Sequence, residues 1–578
     1  MGKMDEVRQV IEAGEPFIDT EFPPSKQSLA HDWDAVPSKE LWDQFEWRRA
    51  SAIYGPVGPV EDTPWPNDIK QGALGDCYLL GSASVMAERP KCVKNLFPIN
   101  KHNGAGIYVV RLLWKGDWEH VVVDDFFPYL PAAEGPAFAH PNKRPELWVM
   151  LIEKAFAKLH GSYQAIIAGS PAEALHSLTG APTECFPSED TDELWERLVR
   201  ADKRGWPTMA VTKDIPGLDA QKDVGLVEGH AYAILRAKEV EIPDGRVFRL
   251  LLMRNPWGNV EWTGDWSDSS PLWTDALRKS FNFPAERASD DGKFWIAMKD
   301  ITPYLQSFYI NHYQDGWKFS SATDNTLPVG KHAAEPVCAI IEVEEGERDD
   351  PWCDMWLTLR FNCNTSEELP AIQLTLFQQS EEDGLFRSFS QSKYVKYACV
   401  ELQIDASPGV YLATICVDPP ADMETGDGSV TLNSYSERPV NLKLAPEWPD
   451  VWSTLVPSIK AMTMEQGEEQ TYEEYGAPEI KVKSWQSISL GIACVLYTNS
   501  DSSEVTLTED LGFKLSNLVV LEGDGETYKQ AANQESCRFE LPPGESRMLL
   551  FRTQDVTEAF SLSYSRSFVL QGCMPRLS

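Results

Sequence analysis

The sequence predicts a mixed α+β region over 17–301 followed by two all-β blocks in tandem. Three observations carry this. At 578 residues the chain is too long for one hydrophobic core, so three or four domains are expected. A hydrophobic content of 42% and 20 Trp argue for folded domains throughout. Beyond about 303, helical periodicity fades and short alternating runs recur at intervals of roughly 8–12 residues between turn formers, the spacing of β-sandwiches.

Taken in order, the first 16 residues read as a short amphipathic helix stopped by Gly14 and Pro16. Helices follow over 77–88, running onto Pro90, and over 145–159, where Trp148, Leu151, Ile152, Ala155, Phe156 and Leu159 recur at helical spacing. Strands are expected at 107–113, 119–124, 231–236 and 247–254. The first all-β block carries alternating runs at 355–361, 372–377, 411–417 and 430–434. A joint containing Pro and Trp, APEWPDVW, lies at 445–452, and further strands are expected at 488–497, 504–507, 514–521 and 546–552. SPGVYLATI and PPGESRMLLF occupy similar late positions in the two blocks, which suggests a repeated unit.

A formal net charge of -36 excludes nucleic acid as a partner, because the phosphate backbone would be repelled. The 11 Cys are scattered without a CxxC pair, so zinc ribbons and dithiol redox chemistry have no footing. An odd Cys count fits a reducing compartment. The first residues lack an apolar signal core, no segment approaches 18 apolar residues, and Glu6 stands where a myristoylation signal at Gly2 wants Ser or Thr. The expected location is cytoplasmic.

The sharpest local feature is QGALGDCYLL at 71–80. A glycine-rich turn delivers Cys77 to the start of an apolar helix, where the helix N-terminus lowers a thiol pKa and free N–H groups can hold an oxyanion. Gln71 can supply a second oxyanion donor. A buried structural Cys is the commoner fate of such a residue. Two partners change the balance. His230, in GLVEGHAYAIL, lies about 150 residues past Cys77, the separation of papain-like sites. About 25 residues further, Asn255 in RNPWG can fix the tautomer of His230, and Trp257 can shield that bond from water. For His230 the alternative is an ordinary hydrogen-bonding residue at a strand start; for Asn255 it is a turn former before Pro256.

QGALGDCYLL, GLVEGHAYAIL and RNPWGNVEWTGDWSD resemble the three catalytic blocks of calpains. FIDTEFPPSKQSL, EWRRASAI, WEHVVVDDFFP, ELWVMLIEKAFAKLHGSYQAI and DGKFWIAMKDI extend the resemblance over 17–302. The resemblance implies an α+β, papain-like two-lobed protease core followed by two all-β sandwich domains of the calpain type, which are C2-like. Boundaries are expected at 1–16 for an N-terminal extension, 17–182 for the Cys lobe, 183–302 for the His/Asn lobe, and 303–445 and 446–578 for the sandwiches. It further implies an intracellular cysteine endopeptidase with Cys77 as nucleophile, His230 as general base then acid, Asn255 as orienter and Gln71 as oxyanion donor. Tyr78 departs from the usual Trp beside the nucleophile and is expected to pack in the core. The alternative is a catalytically silent scaffold of the same family; survival of all three triad residues weighs against it. Transglutamination, which shares the Cys–His pair, usually wants a carboxylate where Asn255 stands.

The resemblance also implies calcium. The side-chain ligands of the first lobe align with Asp68 and Glu146, and those of the second with Glu261, Asp268 and Asp291; hard oxygen donors from separate loops suit this ion. The next acidic ligand position is Lys293, which leaves the second site weak, reshaped or absent, with Lys293 free to bridge Glu261 or Asp268. No EF-hand loop is visible, so the small-subunit pairing it supports is not expected. Partners are protein substrates, with a regulatory protein or phospholipid docking through the sandwiches.

Overall fold

The apolar run behind Cys77 folds as the helix Cys77–Ala87, in which every residue from Tyr78 onward is buried. A helix that is apolar on all sides belongs inside a core. It shares the first-lobe core with the helices Trp148–His160 and Pro171–Thr179 and with the antiparallel hairpin Ile107–Trp114, Asp117–Asp124. The same core reaches Met209, Ala231, Ala233 and Leu235 of the second lobe. Gly81 makes this approach possible, since a Cβ there would stand 2.5 Å from Met209 Cε. Tyr78 packs inside as expected, its hydroxyl donating to the Ile166 carbonyl at 3.3 Å.

The computed structural model divides into two compact units, Met1–Asp315 and Gly316–Ser578. It describes residues 2–36, 38–142, 144–189, 191–214, 224–242, 245–283 and 291–324, then 337–345, 352–363, 370–392, 395–396, 399–418, 428–444, 451–475, 477–487, 491–500, 502–523, 528–530, 535–553 and 560–571.

In the second lobe a six-stranded sheet runs in the order Lys293–Ala297, Val247–Arg254, Ala231–Glu241, Thr208–Thr212, Leu305–Asn311, Thr183–Pro187. All its pairings are antiparallel. The amphipathic helix Asp192–Arg204, capped by the Thr191 hydroxyl, buries Leu194, Trp195, Leu198 and Ala201 in the core of this lobe. The strand Leu305–Asn311 carries the first unit to Asp315, past the expected end at Thr302, because Leu305, Phe308 and Ile310 complete that core. The N-terminal helix is Lys3–Ala13, ended by Gly14 in a left-handed conformation. Rather than standing apart, it buries Val7 against Ala105, Ile107 and Val109 of the first lobe.

Among the described residues the second unit contains four sheets. A four-stranded sheet (Lys318–Asp324, Gly428–Ser436, Cys353–Cys363, Cys399–Ala406) and a second built on Ala371–Gln379, Gly409–Asp418 and Val337–Val343 contribute to one core. A six-stranded sheet centred on Ile492–Asn499 and Ser546–Thr553 and a three-stranded one (Ser536–Leu541, Thr506–Ser516, Ser561–Gln571) share another. The helix Val451–Gln466 corrects the all-β expectation. Its Leu455, Val456, Ile459 and Met462 are buried with Cys338, Leu412, Cys494 and Leu550, drawn from both sheet pairs. Pro457 sits inside the helix, where it removes a hydrogen bond, and so disguises this helical spacing in the sequence. The expected boundary at 445/446 and the start of the expected strand 488–497 lie outside the described residues.

Candidate active site

Cys77 is the first residue of its helix, and the N-cap Asp76 makes no side-chain cap bond there. The early N–H groups of the helix are therefore not taken by the residue best placed to cap them. The Cys77 sulfur accepts a hydrogen bond from the Ala231 N–H, which places it against the residue that follows His230. Burial, reinforced by the charge of Asp76, pushes the thiol up to about 11.

His230 opens the strand Ala231–Glu241, and its backbone is fixed by Thr212, whose hydroxyl accepts the His230 N–H at 2.9 Å. Its Nε2 lies 2.8 Å from Asn255 Oδ1. The surrounding backbone decides the proton. Asn255 Oδ1 also accepts the Trp257 N–H at 3.0 Å, and Asn255 Nδ2 donates to the carbonyls of Asn259 at 2.9 Å and Val260 at 3.1 Å. The amide can face only one way, so His230 Nε2 is the donor and Nδ1 keeps its lone pair. Val260 holds a left-handed φ of 58°, unusual for a β-branched residue, where its carbonyl meets that amide. The Trp257 ring stands 5.0 Å from the imidazole, and Tyr232 crosses it edge-on at 5.0 Å.

None of the hydrogen bonds described for His230 reaches Cys77. Burial lowers the imidazole to about 4, only partly countered by Asn255. With the thiol near 11 and the imidazole near 4, both groups are neutral at pH 7 in this arrangement. Gln71 Nε2 donates within its own loop, to the Leu74 carbonyl at 2.7 Å and toward Asp76 Oδ1 at 3.5 Å. An oxyanion role for Gln71 therefore requires its amide to turn.

The lobes meet through Arg254 and Asn67, to which the sequence did not point, and through Gln71 and Asp291, to which it did. Arg254, fully buried, donates to the Ile69 carbonyl at 2.7 Å and to Ser84 Oγ on the Cys77 helix at 3.2 Å. Burial lowers it to about 10, with Asp291 and Asp68 opposing the fall. The Gln71 N–H donates to the Pro256 carbonyl at 3.1 Å, and Asn67 Nδ2 to Asp291 Oδ2 at 3.0 Å. The proximity of Arg254 to Asn255 was the available sequence signal, but a charge at a strand end ordinarily faces solvent.

The structure brings Asp68 and Glu146 together. Burial and the charge of Asp68 raise Glu146, whose Oε2 is buried without a hydrogen-bond partner. In the second lobe, Glu261 Oε1 accepts the N–H groups of Asp291 at 3.0 Å and Gly292 at 2.7 Å. Burial, then Asp268, raise Glu261 to about 7. Lys293 Nζ forms an ion pair with Asp291, at 4.0 Å from Oδ2. Among the described residues no three His, Cys, Asp or Glu side chains are arranged to hold a metal ion.

The family model described as calpain family cysteine protease matches residues 17–312. The chain is 37% identical over 311 residues to the calpain-type cysteine protease DEK1 of Arabidopsis thaliana, covering 51% of this chain and 14% of that protein. It is 35% identical over 304 residues to the human calpain-1 catalytic subunit, covering 50% and 41% respectively. The chain thus spans less than half the length of these relatives. A solved clostridial cysteine protease, Cwp84 after propeptide cleavage, aligns with a TM-score of 0.22 and 10% identity over 66% of this chain and 97% of that one. That likeness is too slight to argue from.

Proposed function

Because the chain belongs to the calpain family of cysteine proteases, we propose that it is an endopeptidase performing limited proteolysis through Cys77, His230 and Asn255. The observation that carries this reading is the Asn255 amide. Four hydrogen bonds lock it, which leaves the basic nitrogen of His230 free on the side away from Asn255. A structural histidine has no need of such a fixed tautomer.

The neutral pair is the resting form. When the thiol closes onto His230 Nδ1 and passes it a proton, each charge becomes the other's counterion, which opposes both burial shifts. The thiolate attacks the peptide carbonyl. The Cys77 N–H, joined by Gln71 Nε2 once its amide turns, receives the oxyanion. Imidazolium Nδ1–H protonates the leaving amine, and the same nitrogen then takes a proton from the water that releases the acyl group. Asn255 Oδ1 stabilises the imidazolium throughout, and Trp257 limits access of water to that bond.

Asp68 and Glu146 fit a calcium ion, as hard oxygen donors of which one is buried without a partner. Were it bound there, the ion would offset the repulsion by which Asp68 adds to burial in raising Glu146. Glu261, Asp268 and Asp291 fit it less well, since backbone N–H groups and Lys293 already serve two of them. We place calcium in the first lobe only. The sheet pairs of the second unit, Gly316–Ser578, we read as two calpain-type, C2-like sandwiches in tandem, able to dock a regulatory protein or phospholipid, in a cytoplasmic protein.

The test is hydrolysis of a denatured protein substrate by the full chain in millimolar calcium, beside Cys77→Ala. Turnover lost in the variant supports the reading; turnover equal in both removes it. Absence of turnover in both, together with unreactive Cys77, would favour the silent scaffold.

A further inference from the structure

The helix that begins at Cys77 and the strand that begins just after His230 run side by side, and they are tied again at the end away from the nucleophile. Near the nucleophile a Cβ on Gly81 would stand 3.7 Å from the Ala231 carbonyl oxygen. Just past the last turn of the helix, Glu88 Oε2 accepts from Arg236 Nη2 at 2.8 Å. A bulge aims Arg236 there: Ile234 pairs with Met253 and Arg236 with Leu252, so Leu235 is an extra residue in the strand. The Leu235 carbonyl accepts from Arg236 Nη1 and steadies the guanidinium.

Arg89 makes a second tie. Its Nε donates to the Gly205 carbonyl at 2.6 Å and its Nη2 to the Arg204 carbonyl, where the helix Asp192–Arg204 ends. A guanidinium suits this place, because two planar donors meet two carbonyls at the negative pole of a helix. Gly205 leaves the room for it, since a Cβ there would stand 2.4 Å from Arg89 Nη2. Asp315 pairs with the remaining Nη1 at 3.5 Å. An open cavity of about 570 Å³ adjoins both ties, with Val85, Leu198, Trp206 and Ile234 in its walls.

We propose that Glu88, Arg89 and Arg236 are positioning residues, which latch the rear of the Cys77 helix to the second lobe and so set how Cys77 stands to His230. This rests on the reading of Cys77 as nucleophile and His230 as base. A helix is a rigid element, so a shift at its rear is carried to Cys77 at its front. Arg236 lies on the strand that His230 opens, so the Glu88–Arg236 pair joins the two elements that carry the reacting groups. The side chains of Arg236 and Glu88 are 45% and 22% exposed, and such a pair contributes little to stability. A misplacement of about 1 Å at a reacting group, by contrast, costs about a hundredfold in rate. The latch therefore acts on alignment rather than on the fold.

The test measures kcat and KM of the full chain in calcium for wild type, Arg89→Met, Arg89→Lys, Glu88→Ala, Arg236→Ala and the double variant of the last two, with urea unfolding midpoints alongside. In each single variant kcat should fall about tenfold to a hundredfold with KM within about twofold, the pattern of lost alignment rather than lost binding. Arg89→Lys should fail to restore the rate, because an ammonium cannot meet both carbonyls as the guanidinium does. The double variant should be no slower than either single one, since both remove the same tie. Unfolding midpoints should stay near wild type. Unchanged kcat in the single variants, additive losses in the double variant, or losses that follow the unfolding midpoint overturn the proposal. Iodoacetamide labelling of Cys77 at pH 7, read on its peptide by mass, needs no turnover and should slow in the same variants. A wild-type chain without peptidase activity would sink the functional reading, and the labelling rates would still decide the latch.

Discussion

Replacing Asn255 by Ala removes the group on which the tautomer of His230 depends. Four hydrogen bonds go at once: to His230 Nε2 at 2.8 Å, Trp257 N at 3.0 Å, and the Asn259 and Val260 carbonyls at 2.9 and 3.1 Å. In the reaction His230 becomes imidazolium, and a hydrogen bond from a charged donor contributes about 1.5–3 kcal/mol. At roughly 1.4 kcal/mol per tenfold in rate, kcat/KM should fall about ten- to hundred-fold. The imidazole should also move further below its already depressed value, since Asn255 is what raises it. The folded state should lose on the order of 3 kcal/mol, because buried loop groups are left unpaired. The assay is kcat/KM on a fluorogenic peptide, with urea unfolding alongside to separate lost fold from lost chemistry. A variant within about twofold of wild type in kcat/KM and with an unchanged unfolding midpoint would refute the reasoning.

Three other outcomes are expected. His230 binds a proton near pH 6.5 when unfolded but only near about 4 when folded, so the native state loses stability as pH falls through that window, by about 3 kcal/mol; urea midpoints at pH 7 and 4 should converge in His230→Gln relative to wild type. Lys154 and Asp124 are both 0% exposed and bonded to one another, so Lys154→Met should cost about 3–5 kcal/mol by stranding the Asp124 charge, and adding Asp124→Asn should recover part of it in thermal unfolding. Gly81→Ala sets a methyl against Met209 Cε and should destabilise by about 1–3 kcal/mol, with Met209→Ala relieving the clash in a double-mutant cycle.

Local pattern made much of the first unit legible. The helix expected over 77–88 is Cys77–Ala87, and the strand expected over 247–254 is Val247–Arg254, because apolar runs bounded by glycine and proline left little choice. The helix expected from 145 begins at Trp148, after Leu147 takes the N-cap. What could not be read was anything made by two distant segments meeting. Arg254 becomes a buried clamp only once Ile69 and Ser84 arrive beside it. Thr212 fixes His230 only because two strands are adjacent. The strand Leu305–Asn311 was assigned to the wrong side of a boundary because nothing local shows that it pairs with Thr208–Thr212. In the calcium ligands the residue types were legible and their neighbours were not: Lys293 turned out to face Asp291.

The most direct measurement of the central claim is the mass of the full chain after incubation with a peptidyl epoxide in calcium, with the modified peptide then located. The expected result is one adduct on the peptide bearing Cys77, absent in Cys77→Ala and formed much more slowly in His230→Ala. Peptide hydrolysis that continues while Cys77 stays unmodified, or labelling that is equally fast without His230, would contradict it.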